Sequence, residues 1–324
     1  MRQISRYAYP NTRIRAALSE LLDEDFFSRA SGMDFYAFLD ALEKTTYANI
    51  IKNRDTITPE EFELSCTEYN RKNIRKLASF FRSKNEKQVI LLLEQRYSIE
   101  QLKFFLRLWN KKQQFYGSAG EFSEILKART IDDIIELLKD TGYSYAIERA
   151  KEKFEKTGSL YPIEISIDRE YFLRLQEAIN KLSSTDMYIA KNIIGAEIDR
   201  ENLLWLARIK LYYPETVPVE LSGFIPGGAH LSENDFKKLM KQNMSADELR
   251  MPAQYVEIIE KLPGKLTEID RILEDIIINH IRKTLVQKPF SVGIPLGYIF
   301  LKLKETRRVI SIFISKYLSS KIYQ

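Results

Sequence analysis

The nine residues SIEQLKFFL at positions 98–106 return as DRENLLWLA at 199–207 and again as ETRRVISIF at 305–313. Each copy has apolar residues at its fifth, eighth and ninth positions, a spacing that lines one face of an α-helix. The copies lie roughly a hundred residues apart, which indicates a chain built from like units. The first two copies open with Ser98 or Asp199 and carry an amide three residues later. We therefore expect each of these two to begin a helix with a structure resembling a capping box.

A second motif, L-x-x-T-x-Y, recurs in the same phase. It occupies residues 42–47 and 138–143, and a looser copy at 249–255 is one residue longer and contains Pro252. Amphipathic segments are common, so any single match could arise by chance. Two motifs that repeat in the same order with nearly the same spacing favour a true triplication of the chain.

Helix signals dominate the rest of the sequence. Polar residues that suit helix starts precede apolar periodic segments at Asp34, Thr58, Thr130 and Ser232. The best strand candidate is the alternating segment 161–167, but a helical pattern follows it directly. The sequence therefore predicts a nearly all-α chain.

Breaks in the helical pattern divide the chain into three parts. They fall near residues 117–120 and 214–228, where glycine and proline concentrate. We predict helical units at 1–113, 114–215 and 216–324. Their period is too long for the short helical repeats, which need about 34 to 47 residues.

Composition narrows the class of protein. The chain has 324 residues, 44% of them apolar and 29% charged, with a net charge of +5. Basic residues cluster at 71–84 and 302–308, but acids interleave with most of the others, which favours solvated helix faces over a nucleic-acid-binding stripe. Cys66 is the only cysteine, so an intrachain disulfide and a multi-cysteine zinc site are excluded. No apolar run is long enough to span a bilayer, and we expect a cytoplasmic protein.

Residue constellations typical of catalysis are missing from the sequence. It contains no phosphate-binding P-loop, no dinucleotide-binding glycine motif and no nucleophile elbow. His230 and His280 have no metal-ligating residues at the usual spacing. The glycine-rich segment 223–228 fits a tight turn before a helix. We therefore predict no catalytic residue, no cofactor and no metal site, and a protein that is not an enzyme.

The N-terminal segment YAYPNTRIR at 7–15 resembles the start of the C subunit of the archaeal and bacterial V/A-type rotary ATPases, a family related to the d subunit of the eukaryotic vacuolar ATPase. The similarity extends over essentially the whole length, through residues 45–47, 198–203, 224–228 and 298–314. The chain departs from the usual family pattern at four positions: Thr12, Ser98, Gln101 and Arg308.

This resemblance implies a non-catalytic part of the central stalk. Its fold would be a funnel of three similar helical units around a pseudo-threefold axis. One copy per complex would sit on the cytoplasmic face of the membrane, between the proteolipid rotor ring and the D and F subunits of the central shaft. Torque passing through this socket would couple ATP hydrolysis or synthesis to proton or sodium translocation.

Polar residues in the matching segments are candidate contacts to a partner or between units. They are Tyr9, Asn11, Arg13, Arg15, Asp199, Asn202, Arg208, Glu305, Arg307 and Arg308. Local capping and salt bridges within the chain are an equally good explanation of each. Two alternative functions also stay open at this stage, an unrelated helical scaffold and a nucleic-acid-binding helical protein.

Overall fold

The computed structural model describes residues 2–51, 57–113, 120–212, 223–241, 252–260 and 266–322. Throughout these ranges the regular elements are helices, with no strand among them, so the all-α prediction is confirmed. A short 3₁₀ helix covers Ser123–Lys127. The α-helices are α1 (Arg2–Leu18), α2 (Glu24–Gly32), α3 (Phe35–Leu42), α4 (Pro59–Ser79), α5 (Lys84–Asn110), α6 (Ile131–Leu137), α7 (Tyr143–Thr157), α8 (Tyr161–Ile179), α9 (Ser184–Tyr212), α10 (Glu233–Met240), α11 (Ala253–Glu260), α12 (Leu266–Gln287) and α13 (Gly293–Ile322).

Backbone contacts divide the chain into two units. Unit 1 comprises Met1–Tyr97 together with Thr284–Gln324, and unit 2 comprises Ser98–Lys283. The divisions fall within α5 and α12. The three-unit division drawn from the sequence stays a prediction.

Unit 1 is organised around its C-terminal helix. α13 packs against α1, α3 and α4. The ring of Phe313 stacks on that of Phe62 with centroids 4.0 Å apart, and Val309 lies one turn earlier in the same buried cluster. Buried aromatic residues contribute a large share of core stability. The core of unit 1 therefore depends both on the first eighty residues and on the last helix of the chain.

Unit 2 is built from successive helix pairs. α7 packs against α6 and α8, and α9 packs against α8 and α10. The apolar face of the repeated motif is buried here as its spacing predicts, since Leu203, Leu206 and Ala207 have no exposed surface. They form one cluster with Phe236 of α10 and Leu273 of α12.

Four predicted helix starts are confirmed. The side chains of Asp34, Thr58, Thr130 and Ser232 each accept a hydrogen bond from a backbone N–H in the first turn of the helix that follows. At the last three positions the acidic residue in the third helical position bonds back to complete a capping box. These ends form locally because each such side chain supplies an acceptor to an otherwise unpaired N–H.

The prediction that the repeated nonapeptide begins a helix is wrong. Ser98 lies near the middle of α5, and Asp199 lies near the middle of α9. No proline interrupts α5 before Ser98 or α9 before Asp199, and a single glycine such as Gly195 is tolerated inside a helix, so the helices continue through both residues. Their side chains bond to other segments. The strand candidate 161–167 is also helical, because Pro162 suits a first turn and its buried residues Ile163 and Ile167 share one helix face.

The L-x-x-T-x-Y motif forms the same turn in its first two copies. In the first copy the Thr45 hydroxyl donates to the carbonyl of Leu42 at 2.7 Å and accepts from the N–H of Tyr47 at 3.1 Å. In the second copy Thr141 makes the same two bonds, at 2.7 and 3.2 Å, to residues at the same offsets. In the third copy Tyr255 falls within α11, and the preceding leucine lies outside the described residues.

Candidate functional site

A buried carboxylate lies near the middle of α13. Glu305 is 4% exposed, and its Oε1 accepts hydrogen bonds from the hydroxyl of Tyr47 at 2.8 Å and from the Nζ of Lys302 at 2.5 Å. Its Oε2 accepts from the backbone N–H of Leu22 at 2.6 Å. The carboxylate thus joins α13 to two segments from the other end of the chain. All the groups that it contacts here are hydrogen-bond donors, as a buried anion requires.

The cation in this centre is equally buried. The Nζ of Lys302 lies 4.4 Å from the ring centroid of Tyr47 and 5.5 Å from that of Tyr69, so the ammonium faces aromatic surface as well as Glu305. Burial, and secondarily the charge of Glu305, raises the pKa of Tyr47 far above its ordinary range. The Tyr47 hydroxyl therefore stays protonated and remains a donor at every physiological pH.

Thr306 extends this centre to α4. Its Oγ1 lies 3.1 Å from the Tyr47 hydroxyl and accepts a 2.9 Å hydrogen bond from the Nδ2 of Asn70. Both Thr306 and Asn70 are buried. One connected network of buried hydrogen bonds therefore links α13, α4 and the turn after α3.

A second buried carboxylate lies near the middle of α9. Asp199 has no exposed surface. Its Oδ2 accepts from the N–H of His230 at 2.8 Å and its Oδ1 from the N–H of Leu231 at 3.1 Å, while the Tyr255 hydroxyl also bonds the carboxyl group. Burial raises the pKa of Asp199 to about 7, because the loss of hydration outweighs the bonds that favour the ionised form.

The segment 223–231 approaches α9 closely at this point. A Cβ on Gly228 would lie 2.0 Å from the Oδ1 of Asp199, and a Cβ on Gly195 would lie 2.9 Å from the backbone nitrogen of Ala229. Both distances are shorter than real side-chain contacts. The two glycines therefore permit the backbone of the segment to reach the carboxyl group.

Asn202 holds the same segment one turn further along α9. Its Nδ2 donates to the carbonyl of Ile225 and its Oδ1 accepts from the N–H of the same residue, both at 2.9 Å. A side-chain amide carries both a donor and an acceptor, so it can satisfy both backbone groups of one residue. Asp199 and Asn202 together hold residues 223–231 against the helix.

The two carboxylate centres correspond position by position. Asp199 and Glu305 open two copies of the repeated nonapeptide. Each carboxyl group bonds a tyrosine hydroxyl and the backbone N–H of a leucine that directly precedes the N-cap of a short helix, α10 for Leu231 and α2 for Leu22. In unit 2 the partners of the motif follow it along the chain, whereas the partners of the motif on α13 lie in the N-terminal segment.

The first copy of the motif uses a variant of this arrangement. Ser98 donates a 3.0 Å hydrogen bond to the Oε2 of Glu121, just before the 3₁₀ helix. The ring of Phe122 packs edge-on against Tyr143, the motif tyrosine of the second repeat, at 6.3 Å. In this copy the helix supplies the hydroxyl of Ser98, and the carboxylate belongs to the segment that the helix holds, at Glu121.

The candidate residues on α1 separate into two kinds. Asn11 is buried and donates to the carbonyls of Pro289 and Ser291 at 2.9 and 3.1 Å. Arg15 donates to the carbonyl of Leu285 at 2.8 Å. These two side chains attach α1 to the chain that leads into α13.

Tyr9 and Arg13 instead border the aromatic ring of Phe80. Tyr9 is 62% exposed and packs edge-on against Phe80 at 5.9 Å. The guanidinium of Arg13 lies 5.8 Å from the same ring centroid. The exposed side chains of Tyr9 and Arg13 and the half-buried ring of Phe80 form one surface, which we call the α1 patch.

The three remaining candidates are arginines. Arg208 and Arg307 are exposed. Arg308 donates to Glu24 at 2.7 Å and stacks on the ring of Phe27 at 3.8 Å, so it holds α2 against α13. The candidate set therefore contains residues that bond within the chain and residues that face solvent.

Sequence reasoning missed the residues that complete the centres. It places Lys302 only in a basic cluster, and it assigns neither of the motif tyrosines Tyr47 and Tyr255 to a carboxylate. It also misses Arg200, which is 5% exposed and pairs with Glu197 at 2.9 Å. The signal that could have found the two tyrosines is the alternation of the two repeated motifs along the chain, which pairs each motif tyrosine with one copy of the nonapeptide.

Metal ligands and membrane spans are both missing from the described structure. Within the described ranges no three His, Cys, Asp or Glu side chains are grouped so that they could hold a metal ion. Among the helices described, none is long and apolar enough to cross a membrane.

Comparison with known proteins identifies relatives over nearly the whole chain. Residues 10–322 match the family described as ATP synthase (C/AC39) subunit. The C subunit of the A-type ATP synthase from Methanothermobacter thermautotrophicus is 24% identical over 334 residues, covering 94% of this chain and 82% of that protein. The same subunit from Methanosarcina acetivorans is 27% identical over 329 residues, covering 96% and 89%. That from Thermococcus onnurineus is 24% identical over 327 residues, covering 94% and 84%.

Proposed function

The chain belongs to the ATP synthase (C/AC39) subunit family, and we propose that it is the socket that joins the rotating shaft of the complex to its membrane ring. It is a non-catalytic stalk subunit of an A/V-type rotary ATP synthase. The observation that carries the proposal is the match of residues 10–322 to this family. Family membership also removes the unrelated helical scaffold from the alternatives.

A socket that transmits torque must resist deformation. The buried centre at Glu305 supplies such resistance, because it bonds the middle of a long helix to segments distant in the sequence. Breaking this centre would leave buried polar groups unpaired, which is costly. These internal bonds explain why a mechanical protein would hold a buried carboxylate without using it in a reaction.

For the architecture, we propose three like units, 1–113, 114–215 and 216–324, arranged as a funnel around a pseudo-threefold axis. The recurrence of the carboxylate centre and of the threonine turn supports this arrangement. In each repeat the motif helix bonds to the segment that follows it in cyclic order. A closed threefold arrangement gives every motif helix such a neighbour.

The proposed partners are the D and F subunits of the shaft on one side and the proteolipid ring on the other, at the cytoplasmic face of the membrane, with one copy of this chain per complex. The exposed candidates Tyr9, Arg13, Arg208 and Arg307 suit contacts with these partners. The buried candidates act within the chain. No nucleic acid takes part in this function.

Affinity purification of the tagged chain from gently solubilised host membranes tests the function. The expected result is recovery of the shaft proteins and proteolipid in fixed proportion, identified by mass spectrometry. Their absence, in a preparation where the intact ATPase is shown to survive, would contradict the proposal. Retention of nucleic acid that is lost at high salt would instead support the nucleic-acid alternative.

Substitutions then test the assignment of surfaces. Replacing Arg13 and Arg208 by Ala should weaken recovery of a partner while leaving the helical content unchanged. Lys127 provides a control, since it is an exposed lysine paired only with the neighbouring Glu124. Unchanged recovery of both partners from the Arg13→Ala/Arg208→Ala variant would remove these residues from the proposed contacts.

A further inference from the structure

The segment 223–231 is held by a buried acid, Asp199, which forms no ion pair within the described part of the chain. Asp199 accepts from the N–H groups of His230 and Leu231 and is fully buried. In the corresponding centre of α13, Lys302 stands three residues before Glu305 and bonds it directly. Ala196 occupies the equivalent position before Asp199, and within the described part of the chain Asp199 forms no ion pair.

We propose that Asp199 is a pH-sensitive latch for the segment 223–231, closed while its carboxyl group is protonated and loosened as the group ionises. An unpaired carboxylate is costly to bury, whereas the neutral acid is not. When the segment lifts from α9, water reaches the carboxyl group and stabilises its charge. Loss of the proton and opening of the segment therefore favour each other.

The hydrogen-bonding geometry accommodates both protonation states. The backbone N–H groups of His230 and Leu231 bond the two carboxyl oxygens, and the N–H of Ala229 also acts on the carboxyl group. The Tyr255 hydroxyl bonds the same carboxyl group and is both a donor and an acceptor. It donates to the ionised group and accepts a hydrogen bond from the neutral acid. The carboxyl group of Asp199 therefore has a partner in both protonation states when the latch is closed.

The neighbouring charges do not replace the missing cation. His230 packs edge-on against Tyr255 at 5.1 Å, and burial, with the charge of His280 as a second cause, lowers the pKa of its imidazole. It is therefore neutral near pH 7. Several charged groups of α8, α9, α10 and α12 act on one another: Glu197, Glu201 and Asp270 on Arg200, Asp235 on the start of α10, and Lys237 and Arg169 on Glu233.

The direction of the pH effect follows from linkage. The closed latch holds the pKa of Asp199 at about 7, against an ordinary value of 3.8 for a solvated aspartate. The closed state therefore binds the proton more tightly than the open state does. The stabilisation of the closed state by protonation is complete below about pH 4 and is lost as the pH rises to about 7. Between pH 6 and pH 8 the opening equilibrium should increase by about tenfold.

Hydrogen exchange of the intact chain tests the latch. We expect the protection factors of the His230 and Leu231 amides, corrected for intrinsic exchange, to fall about tenfold from pH 6 to pH 8. In Asp199→Asn, whose side chain does not titrate, the ratio of the protection factors at pH 6 and pH 8 should be close to one. The Leu22 amide, bonded to Glu305 in unit 1, is the internal control and should not respond to this substitution.

Two results would overturn the proposal. The first is an equal pH dependence in wild type and Asp199→Asn, or none in wild type. The second does not require the variant to fold: a ¹³C titration of the Asp199 carboxyl in the native wild-type chain with a midpoint near 4. A midpoint near 7 supports the latch.

Discussion

The carboxylate of Glu305 accepts a 2.8 Å hydrogen bond from the hydroxyl of Tyr47, 258 residues earlier in the chain. This bond closes the polypeptide on itself, because the C-terminal motif finds its tyrosine in the N-terminal segment. The corresponding bond in unit 2 joins Asp199 to Tyr255. Both tyrosines are almost completely buried.

Replacing Tyr47 by Phe should destabilise unit 1 by about 1.5–3 kcal/mol, the usual value of a hydrogen bond to a charged group. The ring, and with it the contact to Lys302, is retained, so the loss isolates the hydroxyl. Urea unfolding followed by circular dichroism measures the change. Tyr145→Phe is the control, because Tyr145 is 59% exposed and should be within about 0.5 kcal/mol of wild type. Equal stability of Tyr47→Phe and the control would show that the bond does not contribute.

Replacing Lys302 by Met should cost more, about 3–5 kcal/mol, because it leaves the buried carboxylate of Glu305 without its cation. The double variant Lys302→Met/Glu305→Leu should recover part of this loss, since no unpaired charge remains. Lys72→Met is the control, as its ion pair with Glu68 is exposed. Additive losses in the double variant would contradict a coupled pair. Urea midpoints of wild type, Lys302→Met, Glu305→Leu, the double variant and the control provide the comparison.

Replacing Asn202 by Ala should cost about 2–4 kcal/mol, because the N–H and the carbonyl of Ile225 both lose their partner in a buried site. Asn202→Asp should be no better, since a carboxylate accepts from the N–H but repels the carbonyl oxygen. Asn110→Ala is the matched control, because Asn110 is exposed and its bond to the carbonyl of Gly158 is long at 3.5 Å. Thermal unfolding of the three variants orders their stabilities. A stable Asn202→Asp variant would contradict this account.

Replacing Gly228 by Ala should destabilise the chain by about 1–3 kcal/mol, because the new methyl group would overlap the Oδ1 of Asp199 and displace the segment. Gly32→Ala should instead stabilise the chain. No atom lies within 4 Å of a Cβ at Gly32, which ends α2, and alanine favours the helix by up to about 1 kcal/mol. Differential scanning calorimetry distinguishes the two. A neutral Gly228→Ala would mean that the segment has room to shift.

Cys66 should be inert in the native chain. Burial raises the pKa of its thiol to about 12, and the reactive thiolate is therefore scarce at pH 8. We expect a thiol reagent to label the native protein only as fast as unit 1 opens, and to label one thiol per chain in denaturant. The variant Lys302→Met, which weakens the core around Cys66, should be labelled faster. Rapid labelling of the native wild type would contradict the buried position.

Local features of the fold could be predicted because their causes are local. The caps at Asp34, Thr58, Thr130 and Ser232 depend on residues within one helical turn, and all four form as expected. The burial of the nonapeptide's apolar face was also predicted, because the spacing that places these residues on one helix face is local. The candidate site was only partly foreseen: Asn11, Asp199, Asn202 and Glu305 were selected, but the bonds they form were not.

The error over Ser98 and Asp199 shows where local reasoning fails. A serine or aspartate followed by an amide three residues later resembles a helix start, yet both residues lie inside helices. Like an N-cap residue, Asp199 does accept hydrogen bonds from backbone N–H groups. Those N–H groups belong to a segment about thirty residues later, which the helical pattern alone does not identify.

By itself, the sequence determined the helical class and the family, because periodicity, capping and motif order are properties of neighbouring residues. Only the tertiary structure decided which groups a buried acid meets: a lysine and a distant tyrosine for Glu305, backbone amides and a different tyrosine for Asp199. The reason is that a buried charge is satisfied by whatever the packed chain brings to it. That depends on contacts between residues up to 283 positions apart, as between Leu22 and Glu305, and not on spacing along one helix.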